Sequence, residues 1–229
     1  MSGELKNRRI LYGRRSGHRL KPSQKTLVEE FLPAISLPAS GSLDPRALMP
    51  AASRLVLEVG FGGGENLAAR AARDPETLFI GCEPFINGVV RLAAEVKAQN
   101  LSNVRIHADD ARDVIDRLAP ASVDAVFVLF PDPWPKTRHH KRRFVGRENL
   151  AALARIMRPG GTLIVATDIM DYARWTMIET AVEGHFDFLA SASSDWKNRP
   201  EGWVETRYEA KALAAGRKPV YLQFECKGA

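Results

Sequence analysis

From Arg54 onward, short apolar, β-branched runs alternate with helix-like stretches, and no other feature narrows the possible folds as far. Arg54–Gly60, Leu78–Glu83, Val104–Ala108, Asp124–Phe130 and Thr162–Thr167 read as strands, the last following the turn Arg158-Pro159-Gly160-Gly161. The periodicity predicts helices over Glu65–Arg73, Ile86–Asn100, Ala111–Leu118, Glu148–Met157 and Asp171–Glu183. Strands that are apolar almost throughout must be covered on both faces, so this α/β alternation points to a mostly parallel sheet with helices on either side. Two late runs, near Phe186–Ala190 and over Val220–Cys226, have no helix after them and predict an antiparallel hairpin at the sheet edge. Residues 33–52, rich in Pro, Ala and Ser, read as a flexible connector or the end of a leading helix.

In such a sheet, function gathers at the carboxyl ends of the strands. The first strand runs into Glu58-Val59-Gly60-Phe61-Gly62-Gly63-Gly64-Glu65. Glycines there allow positive φ and close approach of a ligand to the backbone. A dinucleotide fingerprint, counted from Gly60, requires its third glycine at position 65, where Glu65 would repel a pyrophosphate. The turn instead suits a ligand carrying an ammonium group. Glu83 ends the second strand, where a carboxylate can accept from a ribose diol, and Asp109-Asp110 follows the third, within reach of an adenine amine. Each acid taken singly also fits a helix N-cap. Together they outline an adenosine without phosphates.

The fourth strand ends in Phe130-Pro131-Asp132-Pro133-Trp134-Pro135-Lys136, followed by Thr137-Arg138-His139-His140-Lys141-Arg142-Arg143. Prolines fix φ and bias their neighbours toward extended geometry, so Asp132 and Trp134 are expected to be held rigidly. A fixed carboxylate, a flat ring and a cationic apron suit a nucleobase on a phosphate backbone; the plainer reading is a tight turn beside a solvated basic face. The net charge of +6 is unevenly placed. Residues 1–25 carry eight Lys/Arg, among them Arg8, Arg9, Arg14, Arg15 and Arg19, against one acid, leaving 25 basic and 26 acidic residues elsewhere. Such an arm neutralises phosphates, unless it is merely a solvated tail or an organelle transit peptide. Cys82 and Cys226 sit in apolar segments and read as reduced core residues, as in a cytoplasmic protein. Nothing in the chain has metal-ligand spacing or membrane-spanning length.

These motifs, Glu58–Gly64, Gly81–Glu83, Asp110-Ala111, Phe130–Lys136 with Arg142-Arg143, Ala166-Thr167-Asp168 and Thr206-Arg207-Tyr208-Glu209, follow one another in order over most of the chain. Together they resemble the bacterial tRNA (guanine-N7-)-methyltransferase family. The resemblance implies a Rossmann-like methyltransferase domain over residues 53–229, with seven strands, preceded by a basic arm, leading helix and connector over residues 1–52. It implies transfer of a methyl group from S-adenosylmethionine to N7 of guanosine 46, in the variable loop of tRNA, by a monomer or homodimer without metal. The residues it places around the cofactor are Glu58, Gly60, Gly62, Gly64, Glu83, Asp110 and Asp132, with Asp132 also the catalytic residue. It places Lys136, Asp168, Thr206, Arg207, Tyr208 and Glu209 on the substrate, and the arm arginines with Lys141, Arg142 and Arg143 on the RNA backbone. Two rivals remain: a base amino-group methyltransferase, whose Asn/Asp-Pro-Pro-aromatic turn Asp132-Pro133-Trp134 matches in part, and a tRNA-binding protein with a vestigial methyltransferase fold.

Overall fold

The architecture is that of a computed structural model describing residues 11–229, so Arg8 and Arg9 lie outside the described residues. The strands are β1 (Arg54–Val59), β2 (Thr77–Cys82), β3 (Val104–His107), β4 (Val123–Leu129), β5 (Met157–Thr167), β6 (Phe186–Phe188) and β7 (Val220–Cys226). They form one sheet in the order β3-β2-β1-β4-β5-β7-β6. The pairs from β3 through β5 are all parallel, while β7 runs antiparallel to both β5 and β6. The antiparallel pair therefore lies at the sheet edge, as the late apolar runs predict. A long connection with helices at Ser194–Lys197 and Arg207–Ala214 joins its strands instead of a tight turn, and β7 inserts inside β6.

Both faces of the sheet are buried. Leu57, Leu78, Ile80, Val126 and Leu163 have no exposure and pack in one layer, and Val56, Phe79, Phe127 and Ile164 face the other. Burying each large apolar side chain contributes roughly 1.5–3 kcal/mol. The covering helices span Glu65–Arg73, Ile86–Ala98, Ala111–Arg117, Arg147–Ile156 and Met170–Glu183. Gly184, at φ +94°, ends the last of these in the left-handed conformation that a helix C-terminus favours.

Two expectations need correction. Of the two readings of residues 33–52, the end of a leading helix holds as far as Ile35, and the flexible connector does not hold. A leading helical segment, Pro22–Thr26, Leu27–Phe31 with π geometry and Leu32–Ile35, precedes a chain that bridges Ser36 to Ile106 and Leu43 to Leu118. Leu37 and Leu43 are buried in the main core, so apolar side chains within a Pro/Ala/Ser-rich stretch suffice to order it. Second, β5 begins at Met157, because the Pro159-Gly160-Gly161 segment continues the strand through a register shift opposite Val123 and Ala125.

The chain adds strands outward from β1 to β2 and β3, then returns to place β4 on β1's other side. That reversal opens a crevice beyond the carboxyl ends of β1 and β4, where open α/β sheets bind ligands.

Candidate active site

A cavity of about 960 Å³ occupies this crevice, within the size range of small-molecule sites. Its cofactor end is built by local backbone geometry. Gly62 has φ +58°, and a Cβ there would lie 2.8 Å from the Tyr208 ring. Opposite it, Gly88 on the helix Ile86–Ala98 approaches so closely that a Cβ would meet the Gly62 carbonyl at 2.0 Å. Glu83 bridges the two turns, accepting from Gly62 N–H at 2.8 Å and Phe85 N–H at 2.9 Å. Burial pushes its carboxyl pKa up, with the two N–H groups opposing and the Asp132 charge adding to the rise. Each oxygen keeps a lone pair for a ligand hydroxyl.

Asp109 and Asp110 both line the cavity. Asp110 caps the helix Ala111–Arg117 by accepting from Arg112 N–H at 3.0 Å, and the Arg112 guanidinium forks onto the same carboxylate. Capping and a place in the cavity thus coincide in one residue. Asp109 takes Arg15 Nη2 at 2.9 Å.

Glu58 and Gly64 are not among the lining residues. Glu58 is buried beneath the turn, where Asn66 Nδ2 donates to it at 2.7 Å. Loss of hydration outweighs that bond, and its pKa is pushed up to about 7.

The other end of the cavity is the Pro131–Trp134 loop. Phe130 and Trp134 take φ of +50° and +42°, values that non-glycine residues rarely adopt and that persist only when surroundings hold them. Phe130 N–H is tied to Ala166 O at 2.8 Å. At the far side Arg143 donates through Nε to Pro133 O at 2.9 Å and through Nη2 to Asp171. Its guanidinium lies 5.3 Å and 5.2 Å from the Tyr172 and Trp175 rings. This corrects the reading of Arg143 as an RNA-backbone contact, because its side chain is wholly buried against the loop it supports. Arg142 instead lies between the rings of Tyr12 and Trp134, at 4.4 Å and 4.9 Å. Asp132 is exposed and lines the cavity, with Gly13 of the N-terminal segment facing it. Lys136 and Lys141 are exposed; Lys141 lines the cavity and Lys136 does not.

The late motif behaves differently from a polar loop. Thr206 caps the helix Arg207–Ala214, accepting from Glu209 N–H at 3.2 Å. Glu209 is fully buried and takes Arg199 Nε and Trp203 Nε1, each at 2.7 Å, and the Tyr221 hydroxyl. Thr206 and Glu209 therefore hold this segment together, and neither lines the cavity. Trp203 likewise packs edge-on against Tyr221, with centroids 4.8 Å apart. What the segment delivers is Tyr208, which lines the cavity over Gly62, and Arg207, which forks onto Glu65 at 2.8 and 2.6 Å beside the glycine turn. Asp168, at the end of β5, pairs with Arg217 and does not line the cavity. Reading the sequence missed Gly88, Tyr12 and the Arg199–Glu209 pair; a glycine in the first turn of the second helix was the visible signal for Gly88 alone.

Among the described residues no cluster could hold a metal and no helix is long and apolar enough to cross a membrane. A cavity lined by the carboxylates of Glu83, Asp109 and Asp110, with glycines Gly62 and Gly88 in close approach, fits S-adenosylmethionine. Fold and site define a Rossmann-like methyltransferase, of the class that draws its methyl group from S-adenosylmethionine. Residues 52–222 match a family model described as "Putative methyltransferase". The chain is 46% identical over 231 residues to the tRNA (guanine-N(7)-)-methyltransferase of Roseobacter denitrificans, covering 98% of this chain and 99% of that one. It is 48% identical over 213 residues to that of Caulobacter vibrioides, covering 93% of each. The chain belongs to the bacterial tRNA (guanine-N7-)-methyltransferase family. Among solved structures, the 16S rRNA methyltransferase KamB has a TM-score of 0.58 at 18% identity, covering 84% of this chain and 98% of that one, a likeness of fold.

Proposed function

We propose that this protein transfers a methyl group from S-adenosylmethionine to N7 of a guanosine in tRNA, at position 46 of the variable loop. The carrying observation is a single cavity in which Glu83 and Asp110 stand at one end and Asp132, beside Trp134 and Arg142, at the other. When bound, S-adenosylmethionine supplies an electrophilic methyl on a sulfonium. N7 of guanine already has a lone pair, so no base need remove a proton before attack. Rate enhancement can then come from holding donor and acceptor in line, an effect worth several kcal/mol. As the purine gains positive charge, the Asp132 carboxylate stabilises it electrostatically. Glu83 and Asp110 hold the nucleoside, with Gly60 and Gly62 allowing its approach, and Tyr208 closes over the turn. Lys136 and Arg207 contact the target nucleotide. Asp168 reads the guanine edge once its pair with Arg217 opens.

The match beginning at residue 52 supports a methyltransferase domain over residues 53–229, with the arm, leading helix and connector before it. Arg14, Arg19, Lys141 and Arg142 serve the RNA backbone, in a protein working in the cytoplasm. The test is incubation of unmodified tRNA transcripts with methyl-labelled S-adenosylmethionine, followed by nucleoside analysis and cleavage at N7-methylguanosine. Label in N7-methylguanosine at position 46 is the expected result. Label in another nucleoside moves the specificity to an amino methyltransferase. Bound tRNA with no label would retire the catalytic role of Asp132.

A further inference from the structure

Beside the cofactor cavity lies a second hollow of about 1120 Å³, walled by the N-terminal segment and the helix Ile86–Ala98. The segment is fastened to that helix by three bonds. Ile86 N–H donates to Arg15 O at 3.0 Å, Gly17 N–H to Asn87 Oδ1 at 2.8 Å, and Asn87 Nδ2 to His18 O at 2.8 Å. Its floor includes the Phe85 ring and the exposed Ala94, while Arg14, Arg91 and Lys97 stand around it. Among the described residues no carboxylate lines it, although Glu65 lies 3.9 Å from Arg91. Arg14 and Phe85 line both hollows, so the two adjoin.

An apolar floor with an aromatic ring, rimmed by cations, is the surface that single-stranded nucleic acid uses: bases stack below and phosphates meet charge at the edge. A duplex presents no base face to such a floor. We propose that this groove holds unpaired nucleotides adjoining the target guanosine, entering from the cofactor cavity past Arg14. The inference rests on tRNA being the substrate. The helix spans about 20 Å, room for a few nucleotides in extended form.

The test compares the double variant Arg91→Glu/Lys97→Glu and Ala94→Glu, which puts bulk and negative charge on an exposed helix position. Arg54→Glu, at the opposite end of β1, serves as the charge control. Binding of unmodified tRNA transcript is followed across a salt series, and binding of S-adenosylmethionine by calorimetry. The double variant should weaken tRNA at least about tenfold and flatten the salt slope by about 1.4, at roughly 0.7 per lost contact to a single strand. Ala94→Glu should weaken tRNA too, with cofactor affinity unchanged in both. A photoreactive uridine placed beside the target should crosslink within residues 85–98. Unchanged affinity and slope, an equal loss in Arg54→Glu, or crosslinks from helical nucleotides only would each overturn the proposal. An acidic peptide competing for the groove more tightly than tRNA would do the same. Wild-type protein that binds tRNA through this groove without methylating it would sink the functional reading and leave this one standing.

Discussion

The two ends of the active-site cavity are held in different ways. At the cofactor end, Glu83 is fixed by N–H groups two and 21 residues away, Phe85 and Gly62, at the close of adjoining parallel strands. At the loop end, Asp132 depends on partners gathered from across the chain. Arg143 clamps Pro133 while leaning on Asp171, Ala166 ties Phe130, and Tyr12 meets Trp134 edge-on with Arg142 over both rings. The first end follows almost automatically from a strand–turn–helix geometry. The second is a strained loop, with two non-glycine residues at positive φ, kept in place by long-range contacts. On the proposed assignment, binding the donor calls on the scaffold, and orienting the acceptor calls on the tertiary structure.

Asp132→Ala bears on that division most strongly. Methyl transfer should fall by about 10²–10³-fold in kcat, the scale of losing one preorganised electrostatic group, with tRNA binding nearly intact. Full activity would remove Asp132 from the chemistry. Gly88→Ala probes the cofactor end, because its methyl would lie 2.0 Å from the Gly62 carbonyl. S-adenosylmethionine affinity should drop by ten- to a hundredfold in calorimetry, while tRNA affinity holds; equal losses of both would mean the two ends are not separable.

Arg143→Met probes the latch on the loop. Asp171 is 57% exposed, so its carboxylate remains hydrated when the partner goes, and the main loss is the bond to Pro133 O. The expected result is about a tenfold lower kcat with unchanged cofactor affinity, and about 1–3 kcal/mol lost in urea unfolding. A purely structural role would cost stability and leave kcat alone. The smallest effect is expected from Glu58→Gln. With its folded pKa near 7, above the ordinary carboxylate value of 4.5, Glu58 binds more protons folded than unfolded between those values. It therefore favours folding at low pH, and that contribution is lost as pH rises through about 7. The amide should flatten the fall in Tm across this window by roughly a few degrees, and a variant with the wild-type slope would assign the pH dependence elsewhere.

Much of the scaffold was legible because its signals are local. Apolar runs placed the seven strands within a few residues, and helix periodicity placed the helices that cover them. The acids at three successive strand ends were visible for the same reason. The helix Arg207–Ala214 was not, since Thr206–Glu209 reads as a polar loop until Glu209 finds Arg199, Trp203 and Tyr221. Nor did the Pro/Ala/Ser-rich residues 33–52 announce that Leu37 and Leu43 would enter the main core.

The sequence alone determined the α/β alternation, the glycine turn after β1 and the presence of carboxylates at three successive strand ends, because backbone periodicity and turn chemistry act over a few residues. Only the tertiary structure decided which charged groups line the cavity. Arg143 and Glu209 went into the interior, Asp168 went to Arg217, and Asp110 and Asp132 stayed in the crevice. A buried charge such as Arg143 is tolerable only beside a partner, and the partners of Arg143 and of the part-exposed Asp168 lie 28 and 49 residues away, beyond the reach of any local pattern.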